Sequence, residues 1–168
     1  STSGDPAALA VPGNAAVGDI GTWVINPRTG RRVRIAQSAL QVLDWSPDSR
    51  WLLYRPWEGT SLGVMRANGS RKRRIPSNPH VNWLVDASFS PNGRLLAIAC
   101  TDDSVRLWDT DTGKEFGVCT GHKQGIFSIA FAPDGKTLAT ASDDTTLKLW
   151  NVATQQELLT LRRLGGAL

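Results

Sequence analysis

GHKQGIFSIAFAPDGKTLATASDDTTLKLWN, residues 121–151, is the stretch that decides the fold of this 168-residue chain. Four runs within it and just after it are apolar or alternate between apolar and polar residues, as short strands do: Ile126 to Phe131, Thr137 to Ser142, Leu147 to Trp150 and Leu158 to Leu161. The turn from Pro133 to Lys136 joins the first two runs, and its Gly135 can adopt the positive φ of a tight hairpin. The stretch therefore predicts a sheet of four short antiparallel strands.

The same unit recurs upstream with a period of about 42 residues. A turn marker repeats as Trp45-Ser46-Pro47-Asp48, Phe89-Ser90-Pro91-Asn92 and Phe131-Ala132-Pro133-Asp134. A four-stranded sheet is too thin to bury both of its faces alone, so each unit needs neighbours. The predicted fold is all-β, a β-propeller arc of about three and a half four-stranded antiparallel blades.

The residues around these strands resemble those of the WD-repeat β-propellers. The last unit carries Gly121-His122, Asp143-Asp144 and Leu149-Trp150-Asn151 at the matching places. The unit before it matches through His80, Asp102 and Leu107-Trp108-Asp109. The first full unit keeps the turn marker, but its stretch from Val64 to Ser70 is more similar to a TolB-type repeat.

The predicted boundaries follow the repeat: a flexible lead at 1–17, a partial propeller at 18–163 and a tail at 164–168. Within the propeller we predict a partial blade at 18–36, a divergent blade at 37–76 and further blades at 80–118 and 122–162. The partial blade has only two predicted strands, Thr22 to Ile25 and Arg31 to Ile35. Propellers close with about four to eight blades, so this arc has uncovered faces. Because the chain starts at Ser1 without an initiator Met, we favour a fragment of a longer chain over a ring completed by a second copy.

The bulk composition favours a soluble protein in a reducing compartment such as the cytoplasm. Cys100 and Cys119 lack the spacing of a disulfide framework, and no apolar run reaches the roughly 20 residues that span a bilayer. The net charge of +4 permits an acidic partner without requiring one.

The chemically sharpest constellation is His122, Thr140 and Asp144, with Trp150 beside them. An acid, a His and a hydroxyl also make up a nucleophilic triad. The WD-repeat resemblance implies instead a buried structural hydrogen-bond network of these four residues, and we predict no catalysis, cofactor or metal site. The preceding unit has matching residues at His80, Asp102 and Trp108, but Ile98 stands in place of the hydroxyl.

Two basic clusters lie at matching offsets in neighbouring units: Arg31, Arg32 and Arg34, and Arg71, Lys72, Arg73 and Arg74. We predict that they form one patch on the rim of the arc, open to an anionic partner. The alternative is that the cations simply block pairing at the edges of the sheets. Binding of nucleic acid or phospholipid by this basic rim is a further alternative function, although neither nucleic acid nor a membrane surface is the favoured partner. The stacking aromatics of a single-strand nucleic-acid platform are not interleaved with the charges.

The functional prediction is a non-catalytic protein-interaction scaffold, which the family resemblance implies. Its partners would be other proteins or peptides, remaining blades of the same chain or a second copy. Loop residues Trp83, Lys123 and Gln124 are the predicted protein contacts. An alternative is a docking or sensory tail of a larger multidomain enzyme, since the repeats are similar to those of bacterial proteins of which some carry a kinase domain.

Overall fold

In the computed structural model the chain divides into two compact units, residues 1–77 and 78–168. The structure describes residues 9–12, 21–26, 29–56, 62–75 and 86–162. Every regular element in these ranges is a β-strand, so no helix there could cross a bilayer. The strands form four antiparallel sheets, in each of which neighbours in the sequence are neighbours in the sheet.

The first unit contains the first and second sheets. The first sheet has three strands: β1 (Leu9–Pro12), β2 (Thr22–Ile25) and β3 (Arg32–Ala36). The second sheet has four: β4 (Leu40–Trp45), β5 (Trp51–Pro56), β6 (Gly63–Arg66) and β7 (Arg73–Arg74).

The first sheet corrects the sequence prediction, which gave it two strands and assigned residues 1–17 to a flexible lead. Leu9–Pro12 is a strand that pairs with Thr22–Ile25, from Leu9 opposite Ile25 to Pro12 opposite Thr22. Its four residues show no alternation, and Pro12 reads as a strand breaker. A proline is nevertheless tolerated here, because β1 pairs on one side only and Pro12 is its last residue.

The second unit contains the third and fourth sheets. The third sheet comprises β8 (Ala87–Phe89), β9 (Leu95–Ala99), β10 (Val105–Asp109) and β11 (Glu115–Cys119). The fourth comprises β12 (Ile126–Phe131), β13 (Thr137–Ser142), β14 (Thr146–Asn151) and β15 (Glu157–Arg162). The four strands predicted from residues 121–161 are all present, and the last two are slightly longer than predicted.

The three four-stranded sheets share one backbone contact. In each, an amide of the turn after the third strand donates to a carbonyl of the turn before the second strand. The pairs are Ala67 to Arg50, Thr110 to Arg94 and Val152 to Lys136, each with an N···O distance of 2.9 Å. Because backbone atoms make this contact, it survives the sequence divergence of the second sheet.

The core of the second unit lies between the third and fourth sheets. The third sheet contributes Ala97, Ala99, Val105, Leu107 and Cys119, and the fourth contributes Ile126, Ile129, Leu138, Trp150 and Val152. Each large side chain buried there stabilises the packing by about 1.5–3 kcal/mol. A polar contact fixes the alignment, since the Ile129 amide donates to the Asp86 carboxylate at 2.7 Å.

Candidate interaction surfaces and a buried polar relay

Four side chains of the fourth sheet form a continuous hydrogen-bond relay. Trp150 Nε1 donates to Thr140 Oγ1 at 2.9 Å, and Thr140 Oγ1 lies 2.7 Å from His122 Nε2. His122 Nδ1 lies 2.9 Å from Asp144 Oδ2. The relay joins the loop before β12 to β13, to the β13–β14 turn and to β14.

One protonation pattern satisfies every member of this relay. With the proton on Nδ1, a neutral His122 donates to Asp144 and accepts the Thr140 hydroxyl proton at Nε2. The hydroxyl oxygen in turn accepts from Trp150. A doubly protonated His122 would present a second donor to the same oxygen and leave the Thr140 proton without this acceptor, so the geometry favours the neutral ring.

Asp144 is held as a carboxylate. Burial acts to raise its pKa, but hydrogen bonds from the Thr146 side chain, the Lys123 amide and His122 outweigh it and bring the pKa well below the usual range. The Thr146 hydroxyl donates at 2.6 Å and the Lys123 amide at 2.9 Å. The carboxylate therefore anchors both the β13–β14 turn and the loop before β12.

The Thr140 hydroxyl at the centre of the relay is closed to solvent. Thr140 is only 1% exposed, and its oxygen already has a donor and an acceptor partner. A neighbouring cavity of about 240 Å³ is lined by Asp144, Lys123 and Arg162 among others, but not by Thr140 or His122. A substrate in that cavity has no route to the hydroxyl.

The matching residues of the third sheet are arranged differently. The Asp102 carboxylate accepts from Ser104 Oγ at 2.5 Å and from Arg106 at 3.1 Å. Ile98 is buried, and Trp108 is half-buried. The structure thus brings Asp102 to Arg106, a partner that sequence reasoning missed. His80 lies outside the described residues.

The basic residues lie on the outer strands of the first and second sheets or next to them. Arg31, Arg32, Arg34, Arg71, Lys72 and Arg74 are exposed, and Arg73 is half-buried. Arg34 and Lys72 line one cavity of about 620 Å³, together with Tyr54. Sequence reasoning did not single out Tyr54, although it is the one tyrosine of the chain.

The structure describes two of the three predicted loop contacts. Lys123 and Gln124 are exposed in the loop before β12, where the Gln124 carbonyl accepts from Ser142 Oγ at 2.8 Å. Trp83 lies outside the described residues. The loop is therefore a firmly held surface element, at least on its Lys123–Gln124 side.

The outward face of the fourth sheet is apolar and uncovered. By strand register, Leu147 and Leu161 of the fourth sheet match Val105 and Cys119 of the third. Val105 and Cys119 are 0% and 1% exposed, whereas Leu147 and Leu161 are 36% and 51% exposed. The fourth sheet covers this face of the third sheet. No part of the described chain covers the matching face of the fourth sheet.

The two cysteines do not form a disulfide bond with each other. Cys100 and Cys119 are both free and buried, and burial raises the pKa of Cys119 to about 11. Such thiols are poor nucleophiles at neutral pH. Among the described residues no group of three or more His, Cys, Asp or Glu side chains is placed to hold a metal ion.

Comparison with known proteins agrees with this architecture. The family model described as WD domain, G-beta repeat matches residues 73–109 and 113–151. The chain is similar to the WD-repeat family over these two stretches. The two matched repeats cover most of the third and fourth sheets, and the first and second sheets lie largely outside them.

Several relatives are WD-repeat proteins or plant TOPLESS proteins. Protein TOPLESS of Arabidopsis thaliana is 29% identical in an alignment of 140 residues that covers 67% of this chain. TOPLESS-RELATED PROTEIN 2 of Oryza sativa is 27% identical in an alignment of 150 residues that also covers 67% of this chain. The chain spans only 12% of the length of either protein. An uncharacterised WD repeat-containing protein of Nostoc is 47% identical over 43 residues, 26% of this chain and 3% of that protein.

A solved structure shows the same fold. The WD40 repeats of RRP9 align with a TM-score of 0.64 and 23% identity, over 74% of this chain and 38% of that one. The all-β, β-propeller fold class predicted from the sequence is therefore confirmed. WD-repeat proteins generally act as protein-interaction scaffolds, and their propeller fold is typically non-catalytic.

Proposed function

We propose that this chain is a non-catalytic scaffold that docks another protein sheet on the uncovered face of its fourth sheet. The observation that carries the proposal is the contrast between Leu147 and Leu161, which are exposed, and their buried counterparts Val105 and Cys119. An exposed apolar surface of this kind on a folded protein marks an interaction site.

The third sheet supports a particular kind of occupant. Its matching face is covered by a sheet that presents Ile129, Leu138 and Trp150. An occupant of the fourth sheet's face would offer a similar set of large apolar side chains. Shape and chemistry therefore favour a further sheet of the same kind.

The buried relay supports the absence of catalysis. The only Asp, His and hydroxyl constellation of the described residues is closed to solvent at Thr140 and engaged in holding loops. Its task on this proposal is to keep the fourth sheet and its preceding loop in one shape, so that the docking face stays preformed.

Light scattering on the chain over a range of concentrations tests the proposal. Without another occupant, the uncovered face should pair copies of the chain, so the mass should rise above the 18.2 kDa of the monomer. The double variant Leu147→Glu with Leu161→Glu should return the mass to that of the monomer.

The control is Phe116→Glu, which places a glutamate on an exposed apolar residue of the third sheet, and it is compared with each single variant, Leu147→Glu and Leu161→Glu. It should leave the mass unchanged. A chain that is monomeric at every concentration and binds no apolar dye would contradict docking at this face.

A further inference from the structure

Each unit of the chain contains one interface between neighbouring sheets, and the two interfaces are built alike. Each joins one face of the earlier sheet, its trailing face, to one face of the later sheet, its leading face. By strand register the same four positions meet in both, namely Val24 and Ala36 with Leu52 and Met65 in the first unit, and Leu107 and Cys119 with Leu138 and Trp150 in the second. The docking face proposed above is the trailing face of the fourth sheet.

The leading faces of three sheets are already covered. At one matching position the second, third and fourth sheets carry leucines that are each 0% exposed, namely Leu52, Leu96 and Leu138. In the first sheet, Ile25 holds the place of Met65 and Trp150, and it is only half-buried. Of the sheets in the described chain, the first is therefore the one whose leading face can receive a partner.

A second contact in each interface restricts the size of two residues. The turn after the third strand of the later sheet reaches the outer strand of the earlier sheet. In the second unit, a Cβ built on Gly117 would lie 2.5 Å from the Gln155 side chain. In the first unit the glycine is on the other partner, because a Cβ built on Gly69 of the turn would lie 2.9 Å from Ile35 Cα. One of the two partners is thus a glycine in both interfaces.

The Gln155 side chain cannot simply move away from Gly117. Its Nε2 donates to the Val152 carbonyl at 2.7 Å and to the Ala153 carbonyl at 3.1 Å. The fourth sheet has no glycine at the place of Gly117, since Leu159 matches it by register and is 44% exposed. A sheet that docks on the fourth must therefore carry the glycine in its own turn.

The first sheet carries this glycine. The turn after β2 matches the turn after β14, since the amides of Gly30 and Gln155 donate to the carbonyls of Asn26 and Asn151, each at 2.8 Å. Both residues have a positive φ, 67° and 59°. Gly30 is exposed, and no atom of the described chain lies within 4 Å of the place where a Cβ would be. This turn has room for a leucine.

The first sheet also has strands in the right places. By register its strands β1, β2 and β3 match β13, β14 and β15, and no described strand matches β12. The exposed leucines of the docking face all lie on β14 and β15, at Leu147, Leu159 and Leu161. A three-stranded sheet therefore extends over the part of the face that is exposed.

We propose that the trailing face of the fourth sheet binds the leading face of the first sheet of a second copy of this chain, with Gly30 of one copy over Leu159 of the other. The inference rests on the proposed function, because it names the occupant of the docking face. The contact is heterologous, since a different sheet of each copy takes part. It continues the construction of the two interfaces within the chain.

Light scattering on variants of the full chain tests the contact. Gly30→Gln should weaken self-association about tenfold, because the added side chain meets Leu159. The double variant Leu147→Glu with Leu161→Glu should be monomeric. An equimolar mixture of the two should nevertheless associate, since one variant retains the docking face and the other retains the first sheet. Circular dichroism checks that each variant keeps its strands.

A compensating pair of substitutions locates the contact. Leu159→Gly alone should weaken self-association, because it removes apolar area from the face. Added to Gly30→Gln, the same substitution should strengthen association at least about threefold, because it recreates the pairing of Gln155 with Gly117. Gly135→Gln is the matched control: it places the same side chain at a φ of 68° in a turn outside the contact and should leave the mass unchanged.

The outcomes separate this inference from the proposed function. If Gly30→Gln associates like the unchanged chain while the double glutamate variant is monomeric, the docking faces pair with each other and only the inference fails. A chain that stays monomeric but binds an apolar dye would also overturn the inference alone. So would a mixture that stays monomeric, or a Leu159→Gly substitution that does not strengthen the association of Gly30→Gln. If the double glutamate variant associates like the unchanged chain, the proposed function fails as well.

Discussion

The third and fourth sheets have the same strand register, and one of the buried positions at which they differ decides whether a polar relay forms. Ile98 occupies it in the third sheet and Thr140 in the fourth, each opposite a cation of the next strand. With the hydroxyl present, the sheet builds a relay from Trp150 through His122 to Asp144. The third sheet has an apolar side chain at this position and cannot form such a relay. The difference shows that the backbone of the blade tolerates either solution.

In the third sheet, contacts of a cation, Arg106, take the place of the missing relay. Arg106 and Lys148 occupy matching positions, and each binds a matching glutamate on the outer strand, Glu115 at 2.9 Å and Glu157 at 2.6 Å. Only Arg106, with its branched head, also reaches the preceding carboxylate, Asp102. Among the described residues, an arginine thus binds the Asp102 carboxylate of the third sheet and a histidine binds the Asp144 carboxylate of the fourth.

The largest expected effect concerns the two tryptophans. Trp150 is 1% exposed and donates to the relay, whereas Trp108 is half-buried and has an isoleucine, Ile98, in place of the hydroxyl that accepts from Trp150. We expect Trp150→Ala to lower the free energy of unfolding by about 3–5 kcal/mol. Trp108→Ala should cost clearly less. Urea denaturation followed by circular dichroism measures both, and equal losses would remove the distinction between the two sheets.

Next in size is the exchange of the differing residue itself. Thr140→Ile makes the fourth sheet resemble the third but leaves Trp150 Nε1 and His122 Nε2 without their partner. Leaving a buried polar group unsatisfied costs about 1–3 kcal/mol, so we expect the loss of stability to be at least of that size. Thermal melting of Thr140→Ile beside Thr140→Ser is the measurement. Ser keeps the hydroxyl and should lose much less; if both variants melt alike, the relay does not stabilise the sheet.

A smaller effect should appear in acid. The pKa of Asp144 in the folded chain lies below its ordinary value of 3.8, because the Thr146, Lys123 and His122 hydrogen bonds outweigh burial. Its stabilisation is therefore fully present above that ordinary value and is lost as the pH falls below it. Asp144→Asn should flatten the pH dependence of unfolding between about pH 5 and pH 2.

Asp102 provides the comparison for this measurement. Its pKa is also lowered, through Ser104 and Arg106 acting against burial, so its contribution has the same sign. We expect Asp102→Asn to flatten the acid profile less than Asp144→Asn does. Profiles that flatten equally would show that arginine and histidine hold their carboxylates equally well.

The smallest effect concerns a backbone position. Asp103 and Thr145 match in the repeat and both adopt a positive φ, 60° and 67°. Aspartate tolerates this region, but a β-branched residue is strained there. Thr145→Asn should therefore raise the free energy of unfolding by about 0.5–1 kcal/mol, while Asp103→Asn should be nearly neutral. A melting temperature of Thr145→Asn below that of the unchanged chain would rule out this strain.

Much of the fold could be predicted because each blade is a local meander. The repeated turn markers, the period and the alternation near Ile126 and Thr137 are all short-range signals. The strand Leu9–Pro12 was missed because no turn marker, repeat or alternation in the sequence indicates its pairing with Thr22–Ile25. The repeat also predicted that the two basic clusters occupy matching positions in the first two sheets.

The sites could be predicted only where the repeat itself supplies the partner. The Thr140 and Asp144 positions follow from the repeat, but the reach of Arg106 to Asp102 depends on side-chain geometry. The cavity beside Tyr54 depends on the room that Gly63 leaves, which is a packing property. The exposure of Leu147 and Leu161 likewise became visible only when they were compared with their buried counterparts.

The order of strands within the sheets has a consequence for synthesis. Because each strand pairs with the strand made just before it, a blade closes as soon as its last hairpin leaves the ribosome. Each completed blade then exposes an apolar face until the next blade has been synthesised. The third sheet would do so until Ile129 and Trp150 of the fourth sheet have been synthesised. Pauses in translation between repeats would lengthen that exposure, and chaperones that recognise apolar sheet surfaces would be most needed there.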